Sequence, residues 1–414
     1  MTNSPFAELG LTGRLVKALK AAQYHKPTPV QRQAIPLLLE DCDLLGIAQT
    51  GTGKTAAFTL PLLQNLNEDG IKPSPSTTRA LILAPTRELA LQISESIKTY
   101  GYHLNLRHTV VMGGVSQNAQ VNALKRGVDI LIATPGRLLD LINQRRLKLN
   151  ECEYLIIDEA DRMLDMGFIR DVRKIVDLLP EDRQTMLFSA TMPGEVAKLA
   201  NEILYEPERV EIAAKTVAVE KIEQRVHHVL KAAKKDFLVK LFDDAELSRV
   251  IVFTRTKRGA DQVVKRLTKA NIKSAAIHGN KSQNNRQRAL KDFQDGRTRV
   301  LVASDIASRG IDIDHVSHVV NYELPNDPES YVHRIGRTAR AGTTGIAISM
   351  CDIEELSQLR DIEKLIKRPL TPVGDVPGAY AKSGQGRGKP PARKRPPRKR
   401  NWSRRNRSNA KQAA

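Results

Sequence analysis

Short hydrophobic runs alternate with longer amphipathic stretches through most of the chain. Six runs in the first half predict β-strands, namely Leu44–Ala48, Ala80–Ala84, Thr109–Met112, Asp129–Ala133, Tyr154–Ile157 and Thr185–Phe188. The stretches between them predict helices, for example at Ala56–Leu66, Glu88–Tyr100 and Phe168–Leu179. Apolar strands separated by helices are typical of a parallel sheet that helices cover on both faces, so the pattern predicts an α/β fold.

The same pattern starts again in the second half. Strands are predicted at Arg249–Thr254, Ser274–Ile277, Val300–Ala303, Val316–Tyr322 and Ile346–Met350, and helices at Gly259–Lys269, Gln287–Gln294 and Ile353–Ile366. Between the halves, Tyr205–Val226 shows no clear amphipathic helix and contains Pro207. We therefore expect two parallel-sheet domains in tandem, at residues 1–205 and 223–370, with a linker at 206–222.

The composition changes after Pro369. Residues 371–414 are rich in Pro, Gly, Lys and Arg, and they cannot bury enough apolar surface to offset the entropy of ordering them. We therefore predict a disordered basic tail. Trp402, the only tryptophan of the chain, stands among arginines in this tail, which suits stacking on the bases of single-stranded nucleic acid. A tail that serves only solubility is the alternative.

The charge of the chain indicates a polyanionic partner. The formal net charge is +20, and residues 376–414 carry thirteen Lys and Arg but no Asp or Glu. Nucleic acid and an anionic membrane are the main candidates, and the absence of an amphipathic segment beside the tail disfavours the membrane. Cys42, Cys152 and Cys351 lie far apart without a CxxC pair, which argues against a zinc site or disulfides and fits a reducing cytoplasm.

A phosphate-binding loop follows the first predicted strand and opens a helix. It consists of Ala48, Gln49, Thr50, Gly51, Thr52, Gly53, Lys54 and Thr55. Small residues free the backbone N–H groups to surround the β- and γ-phosphates at the helix N-terminus. Lys54 would supply a positive charge to these phosphates, and Thr55 an oxygen to Mg²⁺. Ala48 stands where the first glycine of the motif is usual.

An acidic quartet, Asp158 to Asp161, follows the predicted strand Tyr154–Ile157. A carboxylate at the carboxyl end of a parallel strand points into the crevice where ligands bind. Asp158 can hold Mg²⁺ through water, and Glu159 can orient and deprotonate an attacking water molecule. Together with the phosphate loop, the quartet predicts hydrolysis of a nucleoside triphosphate.

The sequence Asp-Glu-Ala-Asp is the signature of the DEAD-box RNA helicases, and the chain resembles this family through nearly the whole of Phe6–Leu370. The resemblance implies two RecA-like domains, ATP with Mg²⁺, and RNA, single-stranded or in short duplexes, held without sequence preference. Tyr24 to Gln31 resembles the family's adenine-reading segment, in which Gln31 pairs with the base. Phe6 matches an upstream aromatic residue that stacks on the base.

Further segments match the family's motifs in the expected order. Their resemblance implies contacts to the RNA backbone for Pro85, Thr86, Arg87, Gly113, Gly114, Thr134, Pro135, Gly136, Arg137, Arg255, Gly279 and Ser304. Loop glycines, helix N-termini and arginines suit phosphate contacts that carry no sequence information. Asp161, Ser189, Thr191 and His333 match residues that link the nucleotide state to RNA binding. Gly310 and Asp312 match contacts to the ribose.

Arg337 and Arg340 match the motif that faces the nucleotide from the second domain. They stand three residues apart, so both can point the same way on a helical turn. The resemblance implies that they act as arginine fingers on the γ-phosphoryl group. ATP and RNA would then bind across a cleft between the domains, and each would tighten the binding of the other.

Three segments, Asp161–Phe168, Val252–Lys257 and Ile277–Gln283, resemble the bacterial RhlE-type branch of the family, as does the short basic tail. Ribosome assembly, RNA turnover and cold adaptation all suit that branch, with ribosomal precursors or the RNA-degradation machinery as partners. An RNA chaperone dominated by the tail and a DNA translocase are the alternatives. A GTPase is disfavoured, because Asn280–Gln283 begins like a guanine-reading motif but lacks its Asp.

Overall fold

The first half of the chain folds around one parallel sheet. The computed structural model describes residues 4–49, 51–212, 222–304, 316–339 and 345–374. The strands are β1 Leu44–Ile47, β2 Thr78–Leu83, β3 His108–Val111, β4 Val128–Ala133, β5 Tyr154–Ile157, β6 Gln184–Ser189 and β7 Glu208–Glu211. They lie side by side in the order β3-β4-β2-β5-β6-β1-β7, and all pairs are parallel.

Helices cover both faces of this sheet. They are α1 Gly13–Ala21, α2 Pro29–Leu39, α3 Lys54–Glu68, α4 Arg87–Tyr100, α5 Gln117–Leu124, α6 Pro135–Asn143, α7 Ala160–Asp165, α8 Ile169–Val176 and α9 Gly194–Ile203. Every residue of β2 is buried, and successive side chains enter opposite cores. Ala80 and Ile82 pack into one core, Leu81 and Leu83 into the other. A strand buried on both faces must be apolar throughout, which is the pattern seen in the sequence.

The second half repeats this architecture. Its strands are β8 Ile222–His228, β9 Val250–Thr254, β10 Ser274–Ile277, β11 Val300–Ser304, β12 His318–Asn321, β13 Gly345–Cys351 and β14 Thr371–Pro372. Its helices are α10 Lys234–Leu241, α11 Lys257–Lys269, α12 Gln283–Gln294, α13 Pro328–Ile335 and α14 Leu356–Ile366, the last preceded by a 3₁₀ turn at Ile353–Glu355.

The two sheets have equivalent strand orders. The second sheet runs β10-β11-β9-β12-β13-β8-β14, so each strand has a counterpart at the same place in the first sheet. The predicted fold class, two parallel sheets in tandem, is confirmed. Every predicted strand is present, with ends within two residues of the observed ones. In such sheets the carboxyl ends of the strands form one edge, where ligands bind.

The sheets extend beyond the domain limits expected from the sequence. Strand β7 lies within 206–222, the expected linker, and pairs with β1. Strand β14 lies beyond residue 370, within the expected tail, and pairs with β8. Residues 213–221 of the linker and 375–414 of the tail lie outside the described residues. Among the helices that the structure describes, none is long and apolar enough to cross a membrane.

Candidate active site

Two glycines shape the loop between β1 and α3. Gly51 has a φ of 84° and Gly53 a φ of 94°, conformations that glycine adopts without strain. A Cβ at Gly53 would lie 2.6 Å from Gln31 Nε2 and 2.9 Å from Thr28 Oγ1, so packing against α2 also requires glycine here. Because α3 begins at Lys54, the unbonded N–H groups of its first turn face this loop. An anion is the natural ligand of such a helix end.

The remaining residues of the loop hold its shape. Ala48 is buried at the end of β1. Thr52 Oγ1 donates a hydrogen bond to the carbonyl of Gln49 at 2.7 Å, which closes the turn. Thr55 lies in the first turn of α3, and its carbonyl accepts from Thr59 Oγ1 at 2.6 Å. Thr50, also predicted to contact phosphate, lies outside the described residues.

Lys54 and Asp158 face each other at the carboxyl edge of the first sheet. Lys54 Nζ is 4.0 Å from Asp158 Oδ1, and both side chains are buried. Burial raises the pKa of Asp158, and the positive charge of Lys54 opposes that rise. Lys54 Nζ makes no hydrogen bond to any residue in the described part of the chain. A buried ammonium group needs acceptors, and the oxygens of a phosphate would satisfy it.

The same corner offers oxygen ligands for a metal ion. Asp158 Oδ1 accepts a hydrogen bond from the backbone N–H of Glu159 at 2.9 Å, which orients the carboxylate. Thr55 follows Lys54 at the start of α3 and carries a hydroxyl. Carboxylate and hydroxyl oxygens are hard ligands of the kind that Mg²⁺ takes together with phosphate oxygens and water. The donor set therefore fits Mg²⁺.

Glu159 has an unusual backbone conformation. Its φ is 54°, in the left-handed region, which costs a residue other than glycine about 1–3 kcal/mol. Its side chain is buried, and Glu159 Oε2 lies 3.4 Å from Arg162 Nε. Strain of this kind persists where the surrounding structure imposes it, and it is frequent at active sites. The sharp turn places two carboxylates in succession at the end of β5.

The predicted adenine-reading residues lie beside the phosphate loop. Gln31 is fully buried; its Oε1 accepts from Thr28 N at 2.9 Å, and its Nε2 donates to the carbonyl of Gly53 at 3.1 Å. Tyr24 is 38% exposed and packs edge-to-face on Tyr100 with ring centroids 5.8 Å apart. Phe6 is fully buried in the first core, so a base can stack on its ring only if that ring becomes accessible.

Asp161 connects the acidic quartet to the end of β6. Thr191 donates to Asp161 Oδ2 through both its backbone N–H and its hydroxyl, each at 3.1 Å. The backbone N–H of Asp161 donates to Ser189 Oγ at 3.2 Å, and that hydroxyl donates to the carbonyl of Thr191 at 2.6 Å. The structure thus brings together three of the four residues predicted to link nucleotide and RNA. The fourth, His333, lies half-buried on α13.

Arg337 brings a positive charge from the second domain to this site. Its side chain is buried just after α13. Burial and the nearby charge of Arg162 lower the pKa of Arg337 to about 9, and the charge of Glu159 opposes that lowering. Arg337 therefore stands within electrostatic reach of residues that follow β5. Arg340, Gly310 and Asp312 lie outside the described residues.

The first-domain residues predicted to bind RNA lie at the carboxyl ends of β2, β3 and β4. Pro85 and Thr86 follow β2, and Thr86 Oγ1 accepts from Leu89 N at 3.2 Å as the N-cap of α4. A Cβ at Gly114 would stand 2.1 Å from Arg87 Nη1, so Arg87 lies directly against the Gly113–Gly114 turn. The two motifs, 26 residues apart in sequence, form one surface.

The third predicted RNA motif starts α6. Thr134 is its N-cap and Pro135 its first residue, the position in a helix where proline fits best. Gly136 is exposed, and a Cβ there would meet no atom within 4 Å. Arg137 Nε lies 3.5 Å from Asp140 Oδ2, within the same helix. The helix N-terminus and its open glycine leave room for a phosphate backbone.

The second-domain residues predicted to bind RNA follow three adjacent strands. Arg255 follows β9, Gly279 lies just beyond β10, and Ser304 is the last residue of β11. These three strands are neighbours in the sheet. Gly279 is exposed, whereas Ser304 is buried. Arg255 is held by its own domain, because its Nη2 donates to Glu355 Oε1 at 2.8 Å and to the carbonyl of Leu324 at 3.1 Å.

Comparisons with known proteins agree with this geometry. The model of the DEAD/DEAH box helicase family matches residues 28–199, and that of the helicase conserved C-terminal domain matches residues 233–342. The ATP-dependent RNA helicase CshA of Limosilactobacillus reuteri is 42% identical over 92% of this chain and 76% of its own length. The chain belongs to the DEAD-box family of ATP-dependent RNA helicases. CshA of Bacillus subtilis, a DEAD-box ATP-dependent RNA helicase, is 43% identical over 88% of this helicase and 73% of its own chain.

Solved structures of the family show that both sheets of this helicase are RecA-like domains. Dbp5 of S. cerevisiae, bound to RNA and ADP BeF3, is 33% identical with a TM-score of 0.80, over 92% of this chain and 98% of that chain. The DEAD-box helicase Mss116, bound to ssRNA and UDP-BeF, is 30% identical with a TM-score of 0.79, over 90% and 80% of the respective chains.

The two RecA-like domains of this helicase also meet in a buried ion pair that the sequence analysis did not assign. Glu88 at the start of α4 accepts from Arg286 Nη2 at 2.7 Å and from Gln283 Nε2 at 3.2 Å, both on α12. Burial lowers the pKa of Arg286, and the charge of Glu88 opposes this. Nothing in the local sequence around either residue shows that they pair.

In the second sheet, the lysine at the position equivalent to Lys54 already has hydrogen-bond acceptors within its own domain. Lys234 begins α10, the helix that follows β8. Strand β8 is the counterpart of β1, and Lys54 likewise begins α3, the helix that follows β1. Its Nζ donates to the carbonyls of Tyr322 at 3.0 Å and Met350 at 2.9 Å, and to the carboxylate of Glu355. Lys234 thus has its acceptors already, whereas Lys54 has none among the described residues. Within the described part of the chain, the ammonium group at the start of α3 therefore remains available to a phosphate, whereas the one at the start of α10 does not.

Proposed function

We propose that this helicase hydrolyses ATP at the carboxyl edge of the first sheet and that its second domain completes the site. One observation carries the proposal. The buried Lys54 ammonium lies beside Asp158 without a hydrogen bond to any described group, while Arg337 approaches the same strand end from the other domain. A triphosphate would supply the acceptor oxygens and the negative charge that this arrangement lacks.

The roles of the residues follow from their positions. Lys54 and the N–H groups of α3 would hold the β- and γ-phosphates, while Thr55 and Asp158 would hold Mg²⁺, which would offset phosphate charge. Glu159 orients a water molecule and takes its proton as the water oxygen attacks the γ-phosphorus. The bond between that phosphorus and the oxygen of the β-phosphate breaks, which leaves ADP. Arg337, joined by Arg340 as the family pattern implies, stabilises the charge that develops.

The adenine site is proposed from Gln31, Tyr24 and Phe6. Gln31 Nε2 keeps one N–H beyond the hydrogen bond to Gly53, and that N–H can reach a base acceptor. Since Gln31 also fixes Thr28 and the phosphate loop, base recognition and loop shape depend on one side chain. Tyr24 lies at the surface nearby, while Phe6 would stack on the base only after the core around it opens.

RNA is proposed to lie across the carboxyl ends of both sheets. In the first domain the surface formed by Arg87, Gly113 and Gly114, together with the start of α6, offers backbone N–H groups and positive charge. In the second domain Gly279 and Ser304 lie on the matching edge. Such contacts read the sugar–phosphate backbone, so binding would not depend on sequence. Closure of the domains would bend one strand and separate short duplexes, and hydrolysis would release the RNA.

The cellular role of this helicase is a separate proposal. We infer a role in ribosome assembly or RNA turnover in the cytoplasm, with ribosomal precursors or the degradation machinery as partners. We also infer membership of the RhlE-type branch from segments such as Asp161–Phe168. The two curated relatives described above carry the name CshA. Crosslinking in cells followed by sequencing of the bound RNA would test the setting, because precursor ribosomal RNA and messenger RNA give different reads.

The Glu159→Gln variant tests the chemical proposal. It keeps the size of the side chain and removes its ability to take a proton, so ATP and RNA should still bind while RNA-stimulated turnover nearly stops. ATP hydrolysis and fluorescence anisotropy of labelled RNA would be measured on the full chain. Turnover at the rate of the unaltered protein would show that Glu159 is not the base.

A further inference from the structure

Arg162 is a second buried arginine beside the acidic quartet. Arg162 follows the acidic quartet on α7, and its side chain is almost fully buried. Burying a guanidinium group is unfavourable unless acceptors surround it. The chain contains a fully buried arginine that meets this requirement. Arg79, at the opposite edge of the sheet, bonds Glu153, Asp69 and the carbonyl of Leu66 through its three nitrogens.

Arg162 does not meet this requirement. Its Nε lies 3.4 Å from Glu159 Oε2, longer than the 2.7–2.9 Å typical of a strong charge-assisted bond. Its two terminal nitrogens, Nη1 and Nη2, are buried and make no hydrogen bond to any residue that the structure describes. A guanidinium group has five N–H donors, and four of them belong to these two nitrogens.

The positive charge of Arg337 makes this arrangement more costly. Arg337 is buried on the second domain, and the charge of Arg162 contributes to lowering its pKa. Two buried guanidinium groups thus lie within electrostatic reach of each other and of the Glu159 carboxylate. Like charges in a buried site repel each other. An anion that enters between the domains would offset this repulsion.

We propose that Arg162 is a positioning residue, which holds the Glu159 carboxylate in place and makes closure of Arg337 onto the site depend on the terminal phosphate of ATP. The inference rests on the proposed roles of Glu159 and Arg337. Without a γ-phosphate, the two guanidinium groups repel each other and disfavour the closed arrangement. With it, phosphate oxygens supply acceptors for the cluster, and the repulsion becomes an attraction shared by both domains.

The test compares Arg162→Gln with Arg79→Gln, both substitutions at fully buried arginines. Because Nη1 and Nη2 of Arg162 have no acceptor among the described residues, Arg162→Gln should leave the thermal midpoint of the nucleotide-free protein unchanged or raised. Arg79→Gln should lower that midpoint by about 2 °C or more, since it removes a buried guanidinium group that is hydrogen-bonded to Asp69, Glu153 and the carbonyl of Leu66. In ATP hydrolysis, Arg162→Gln should lower kcat about 10- to 100-fold through misplacement of Glu159, with little change in KM for ATP. Arg79→Gln should leave kcat per folded molecule unchanged.

RNA binding provides the second readout. Labelled single-stranded RNA would be titrated with the full chain in the presence of ADP or of a non-hydrolysable ATP analogue. Arg162→Gln should reduce the ratio of the two affinities, because closure no longer depends on phosphate to the same extent. Arg162→Lys keeps the charge and should restore most of that ratio but not kcat, since an ammonium group cannot bond the carboxylate and the phosphate in the same geometry.

Glu159→Gln in the same assays separates this inference from the proposed function. If Glu159→Gln stops turnover while Arg162→Gln keeps the kcat and the affinity ratio of the unaltered protein, the role of Arg162 is refuted and that of Glu159 stands. A lowered thermal midpoint for Arg162→Gln with unchanged kcat would equally refute it, because that result indicates a structural role. If the Glu159→Gln variant hydrolyses ATP at the rate of the unaltered protein, the proposed role of Glu159 is refuted, and the inference about Arg162 is refuted with it.

Discussion

The ion pair between Glu88 and Arg286 should decide how strongly ATP and RNA reinforce each other's binding. The two side chains belong to different domains, are nearly inaccessible to solvent, and meet at 2.7 Å. Removing one member of a buried pair costs about 3–5 kcal/mol, because the other charge stays buried without its partner. This cost applies only while the domains are together, since in separated domains each group is solvated.

The expected effect follows from that cost. About 1.4 kcal/mol corresponds to a tenfold change in affinity, so Glu88→Ala should weaken RNA binding with a non-hydrolysable ATP analogue roughly 100- to 3,000-fold. RNA binding without nucleotide should change little. Fluorescence anisotropy of labelled single-stranded RNA measures both. Arg286→Ala should behave similarly, and the double variant should lose no more than either single one, because no unpaired charge remains.

An exposed ion pair supplies the matched control. Arg173 and Glu202 also meet at 2.7 Å, but both side chains are partly exposed, and such pairs contribute about 0–1 kcal/mol. Glu202→Ala should therefore leave RNA binding unchanged. Two results would refute the reasoning. In the first, RNA binding by Glu88→Ala depends on nucleotide as strongly as in the unaltered protein. In the second, the losses of RNA affinity of the two single variants add up in the double variant, as they would for independent sites.

Three further predictions concern the base site, the tail and pH. Phe6→Leu keeps the core filled but removes the aromatic face, so KM for ATP should rise roughly 2- to 10-fold if the ring stacks on adenine; an unchanged KM would leave Phe6 as a core residue only. Ending the chain after Gly374 should preserve kcat for ATP hydrolysis but raise the RNA concentration needed for stimulation, and this RNA concentration should then depend less on salt. If the main defect is instead a loss of ATP-independent RNA annealing, the result would favour a chaperone. Burial lowers the pKa of His108, His227 and His318 below the ordinary 6.5, so the unfolded chain binds more protons in acid and stability should fall as the pH drops below about 6.5. The thermal midpoint of His318→Gln should fall less between pH 7 and pH 5, and an equal fall would contradict this assignment.

Most central strands were predictable because burial on both faces leaves a continuous apolar run in the sequence. The edge strands β3 and β10 were also predicted, but the edge strands β7 and β14 were not. In β7 only Val210 is buried and its neighbours are charged, while β14 has two exposed residues, so neither carries a hydrophobic signal. The expected boundaries at 205 and 370 fall just before these two strands for that reason. Pairing with a neighbouring strand, not local hydrophobicity, forms β7 and β14.

The nucleotide site was predictable where its residues are consecutive in the chain. The glycines of the phosphate loop and the quartet after β5 report backbone conformations that a local sequence can specify. The partners of Glu88 lie far away in sequence, and their contact arises only from how the two domains meet. Arg162 was read as a mark of the branch, because its lack of acceptors becomes visible only once burial is known.

The central claim is that a guanidinium group of the second domain acts on a nucleotide held by the first. Its most direct test is the RNA-stimulated kcat of Arg337→Ala in the full chain, with ATP binding measured separately on the same preparation. An arginine finger contributes about 10³–10⁵ in rate, so kcat should fall by about that factor while ATP still binds. Turnover close to that of the unaltered protein would contradict the claim.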